Sequence, residues 1–161
     1  IHEVHPEIHA RFEALSRTYV YKVSRTKNAF KYQSEHTYTL PLDVDLMNQA
    51  AKILFEYTDF QCFSKVKTDV KTYDCTIMEA QWQVDNNSLN FTIKADRFLR
   101  NMVRAIVGTM IEVGAKKRTL EEFRKIIASK NRSNAGTSAP AHGLYLINIE
   151  YPKSIYVQKE A

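Results

Sequence analysis

The stretch from Phe98 to Ile111 constrains the fold more than any other part of the chain. Phe98, Leu99, Met102, Val103, Ile106, Val107, Met110 and Ile111 recur as adjacent pairs four residues apart. At about 100° per residue, that spacing draws one wide apolar stripe along a helix. Such a helix has to lie against a core. On the same wheel Arg100 sits at the edge of the stripe and Arg104 points well away from its centre. Gly114 is expected to stop the helix, because glycine accepts the left-handed conformation of a helix C-terminus. The plain reading of Arg97, Arg100 and Arg104 is a wet helix face; any further role depends on what the rest of the chain brings there.

The remaining elements read from alternation and capping. RTYVYKVS at 17–24 puts Tyr19, Tyr21 and Val23 on one side of a strand. HTYTLPL is a second extended piece, after which Asp45 is placed to cap a helix from Leu46 to about Tyr57. Thr76, Met78, Ala80, Trp82 and Val84 share one face of a hairpin arm, DNNS turns the chain, and Leu89, Phe91, Ile93 and Ala95 answer the alternation. Thr119 and Glu122 have capping-box spacing ahead of another amphipathic helix. In the last strand Tyr145, Ile147, Ile149 and Tyr151 form the regular apolar face, which leaves Leu144 and Leu146 on the other side. Strands and helices without strict βαβ alternation predict an α+β fold: a mainly antiparallel sheet with helices packed on one face. Residues 1–161 read as a single domain, with 153–161 a loose tail.

Composition narrows the function classes. The 161 residues are 44% hydrophobic and 25% charged, enough for one real core. No apolar run approaches the roughly 18 residues of a membrane span. The opening residues lack the pattern of a signal peptide and lack an initiator Met, so the chain is expected to be part of something longer. Cys62 and Cys75 lack CxxC spacing and are expected to be free thiols in the cytoplasm. The five histidines form no HxxxH or HExxH pattern, so no metal is expected. The net charge of +5 is clustered at Lys65–Lys71, Lys116–Arg118 and Lys130–Arg132, which suits a polyanion such as nucleic acid.

Three stretches together resemble the tRNA pseudouridine synthase A (TruA) family. HARFEALSRTYVYKV resembles the segment that opens the second half of its members. RFLRNMVRAIVGTMIEVG resembles the family's FxxxMVRxIVGxxxxVG helix, and NAGTSAPAHGLYL its AGxTAPAxGLYL loop and strand. TDFQCFSK is similar to the DFxxF element between them, so the resemblance runs from about Ile8 to Pro152. The family's nucleophilic aspartate lies in an Arg-Thr-Asp motif in the preceding half. None of Asp43, Asp45, Asp59, Asp69, Asp74, Asp85 and Asp96 follows Arg-Thr.

The resemblance implies isomerisation of uridine to pseudouridine in the anticodon stem-loop of tRNA, by a cytoplasmic homodimer needing no cofactor or metal. It implies that Arg104 pairs with an aspartate from outside this chain, that Tyr19 contacts the target base and is catalytic, its hydroxyl serving proton transfer at the carbon where exchange occurs, and that Leu144 packs on the uracil. A guanidinium suits the first post because it stays charged and offers a planar fork to a carboxylate. Arg11, Arg17 and the basic loop Lys65–Lys71 are candidate tRNA contacts. Two other readings stand beside this one: an RNA-binding module without chemistry, and a dimerisation module.

Overall fold

The computed structural model describes residues 2–68 and 70–157. Its elements are β1 (Ser16–Ser24), β2 (His36–Thr37), α1 (Val44–Ile53), β3 (Ile77–Asp85), β4 (Ser88–Ala95), α2 (Met102–Gly114), α3 (Leu120–Ser129) and β5 (Leu144–Glu150). β1 is antiparallel to β4, and β4 to β3, so β4 takes one edge of β1 along its whole length. The other edge of β1 is shared by β5, antiparallel over Ser16–Tyr21, and by β2, parallel at Val23 and Ser24. The sheet is therefore five-stranded and mainly antiparallel, as the alternation predicts. Among the described residues, no helix is long and apolar enough to cross a membrane.

The helices cover the face that carries Tyr21, Val23, Leu89, Phe91, Ile93 and Trp82, all of which are buried. Trp82 stacks on Phe91 at 4.9 Å, and its indole N–H donates to Met110 Sδ on α2 at 3.3 Å. Asn48 on α1 brackets the same residue, donating to its carbonyl and accepting from its amide. Burying large apolar side chains of this kind stabilises by about 1.5–3 kcal/mol each, which is what fixes α1 and α2 on the sheet.

Several local expectations are corrected. The first helix is capped by Asp43, not Asp45: Asp43 Oδ1 accepts from Leu46 N at 3.1 Å, and the helix tightens into a 3-10 turn over Leu54–Glu56. The apolar stripe starts helical only at Met102, because Asn101 is left-handed with φ 68. Leu99 is nonetheless buried, since the turn before α2 folds back on the core. Gly114 is the last residue of α2 and is not left-handed; Lys116, with φ 58, is. Gly114 instead makes room for Met47, whose Sδ would lie 2.5 Å from an added Cβ.

Two bulges break the expected alternation. Ile77 pairs with Ala95 and Glu79 with Lys94, so Met78 is the extra residue. Ile77 is buried in its place and Met78 is exposed. In β5 the register passes from Asn148 to Leu146 between Thr18 and Tyr19, which makes Ile147 the extra residue. Leu144 and Leu146 therefore lie opposite Tyr21 and Tyr19 on the helix-bearing face, and Tyr145 turns to the other. In the segment expected as a tail, Lys153–Ile155 form a 3-10 turn with Ile155 buried, and Tyr156 bridges to Val4. Residues 158–161 of that segment lie outside the described residues.

Candidate active site

The site begins with the pairing of α2 and the loop from Ala135 to Gly143. Gly108 allows it: a Cβ there would sit 1.8 Å from the carbonyl oxygen of Thr137. With that approach open, Gly136 N donates to Thr109 Oγ1 at 2.9 Å, and Ala139 N donates to the Arg104 carbonyl at 2.9 Å. Tyr21 pins the far end of the loop, its hydroxyl donating to Pro140 O at 2.7 Å. Burial pushes the Tyr21 phenol far above its ordinary pKa, against the opposing pull of Arg104, so it stays a donor. Arg132 clamps the near end, donating to Gly136 O at 3.1 Å and to Ser138 Oγ at 2.8 Å. Asn101 donates to the same Ser138 Oγ at 2.6 Å. α2 and the loop are thus one stitched unit.

Arg104 is aimed from this unit. Its Nε donates to Ala139 O at 2.7 Å, which fixes the plane of the guanidinium, and the residue is half-buried. Among the described residues, no carboxylate lies within 4.0 Å of it. Arg104 lines a cavity of about 370 Å³ together with Arg11, Tyr19, Phe98, Met102 and Leu144, among others. Tyr19 is half-buried in that wall and stands edge-on to Phe98, with centroids 5.2 Å apart and planes at 90°. Leu144 joins the opposite strand at the first residue of β5.

Tyr19, Arg104, Leu144 and Arg11 are thus brought together, and Arg17 is not. The Arg17 guanidinium is occupied by carbonyls, those of Asp96 at 3.0 Å and of Arg11. Arg97 has likewise left the helix, donating to Thr72 Oγ1 at 3.1 Å. The clamp residues Asn101, Arg132 and Ser138 escape sequence reasoning, since nothing in their spacing links positions 101 and 138. Other basic runs are partly neutralised: Lys116 pairs with Asp43, Arg118 with Glu112 and Lys130 with Asp59. Burial raises both thiols, Cys62 and Cys75, to about 12, which removes them as nucleophiles near neutrality. No group of three or more His, Cys, Asp or Glu among the described residues is placed to hold a metal ion.

The chain is a small α+β domain in which a helix-borne arginine, a strand tyrosine and a strand leucine line one cleft. Residues 50–152 match the family model for tRNA pseudouridine synthase, and the chain belongs to that family. A relative named tRNA pseudouridine synthase A in Bacteroides fragilis is 54% identical over 154 residues, 95% of this chain and 61% of its own length. Proteins of that name in Parabacteroides distasonis and Halalkalibacterium halodurans are 52% and 40% identical, over 94% and 88% of this chain. The chain spans 60% and 55% of their respective lengths.

Proposed function

We propose that the intact protein carrying this chain isomerises uridine to pseudouridine in tRNA, within the anticodon stem-loop. The N1–C1′ bond breaks, the uracil turns and C5 bonds to C1′; C5 loses its proton and N1 takes one up, so there is no redox change and no cofactor. The nucleophile is an aspartate from polypeptide outside these residues. Arg104 keeps that aspartate ionised in a partly desolvated cleft, where an unpaired carboxylate would take up a proton and lose its nucleophilicity. Tyr19 stacks against the flipped base, and Leu144 packs on its other side. A cytoplasmic homodimer fits a tRNA-modifying enzyme of this family.

The observation that carries this reading is a tethered guanidinium that opens on a cleft shared with Tyr19 and Leu144 and has no described acid to pair with. In the intact protein, Arg104→Ala should cut pseudouridine formation on a tRNA transcript by more than about a hundredfold, with tRNA affinity nearly unchanged. Near-normal turnover would remove Arg104 from this role. Leu144→Asp should also inactivate, by setting a charge against the base. A second reading, an RNA-binding module without chemistry, is favoured by the lack of an Arg-Thr-Asp motif in these residues. An intact protein that binds tRNA tightly and forms no product would establish it.

A further inference from the structure

The cleft has two lobes, and only one is lined by aromatic rings. That lobe is lined by the rings of Tyr19 and Phe98 and by Leu99, Met102 and Val103, together with Arg11, Arg100, Asn101 and Arg104. Next to it opens a second cavity of about 740 Å³, lined by Lys65, Val66, Arg100, Asn101, Arg104, Arg132, Ser138 and Leu144. Arg100, Asn101, Arg104 and Leu144 belong to both walls, so the lobes adjoin. The second lobe therefore carries four cations. Among the described residues, none of the four lies within 4.0 Å of a carboxylate.

Cations gathered this closely repel one another, and a monomer would ordinarily relieve that by interspersing acids, as the pairs at Lys116, Arg118 and Lys130 do. Here the backbone holds them together instead. Lys65 N donates to the Arg100 carbonyl at 2.9 Å, so the two side chains leave adjoining points of one fixed joint. Arg132 is held from behind by Gly136 O and Ser138 Oγ. The heads of Lys65 and Arg100 are exposed and have no recorded side-chain hydrogen bond among the described residues.

We infer that this second lobe binds the phosphodiester beside the target nucleotide, with Lys65 and Arg100 as its contacts. The inference rests on the function proposed above. It adds that one flipped nucleotide is divided between the lobes, base in the one that holds Tyr19 and Phe98 and adjoining phosphate in the one that holds Lys65. Lys65 and Arg100 then contribute affinity for the RNA backbone and leave the chemistry to the other lobe.

The test uses Lys65→Gln and Arg100→Gln in the intact protein, with an anticodon stem-loop RNA and a series in which one phosphate at a time is replaced by an uncharged methylphosphonate. Each substitution should raise KM about 5- to 10-fold while kcat stays within about twofold, and should lower the slope of log affinity against log salt by about one. One linkage beside the target uridine should weaken the wild type when neutralised and have little further effect on Arg100→Gln. Unchanged salt slopes would overturn the inference, as would a methylphosphonate penalty equal in wild type and variants. If the wild type formed no pseudouridine, the proposed chemistry would fall, while the binding slopes would still decide the phosphate lobe.

Discussion

At the scale of residues, type and tether decide together what a side chain does. Arg104 and Arg17 are both half-buried arginines, but Arg17 spends its donors on two carbonyls and Arg104 spends one. That difference is invisible in the sequence, because the carbonyl of Asp96 that holds Arg17 lies on another strand connection. The grouping of Tyr19, Arg104 and Leu144 was legible only through motifs; spacing alone leaves them on a strand, a helix and a second strand. His36 illustrates a titration set by position. Burial, reinforced by His142, holds its pKa below the ordinary 6.5. Between the folded and unfolded values the unfolded chain binds more protons, so stability should fall as pH drops below about 6.5. Urea midpoints at pH 7.5 and 5.5 measure this, and His36→Gln should shrink the difference between them.

Elements were the most readable level where a local rule governs. The capping box at the start of α3 is formed as its spacing predicts: Glu122 N donates to Thr119 Oγ1 at 3.1 Å, and Thr119 N to Glu122 Oε2 at 2.7 Å. Thr119→Ala should cost about 1 kcal/mol, seen as a lower urea midpoint with an unchanged m-value. The bulges at Met78 and Ile147 could not be read, because each is a register decision taken against a partner strand. The second reverses an apparent oddity, since it puts Leu144 and Leu146 opposite Tyr21 and Tyr19. Likewise Gly108 looks like a weak point in an apolar helix until Thr137 is laid across it. Gly108→Ala should destabilise by about 3 kcal/mol or more, because backbone is what an added methyl would strike. Thermal unfolding reports the loss, and RNA turnover should fall with it, as Arg104 is held by the same loop.

For the whole molecule, charge and edges say more than composition did. A net charge of +5 spread evenly would mean little. Among the described residues, six cations pair with acids within 4.0 Å, and the four that line the cleft are not among them. The sheet is sorted in the same way. One long side of β5 is held by β1, and no described strand takes the other, where Leu146 and Ile147 are 48% and 57% exposed. A bare margin of amides and carbonyls beside two aliphatic side chains is a template for whichever extended chain arrives first. Prepared as residues 1–161 alone, this polypeptide should self-associate as its concentration rises, and sedimentation should show Ile147→Lys suppressing that stickiness. The open margin of the sheet is thus the place where the polypeptide would cling to itself.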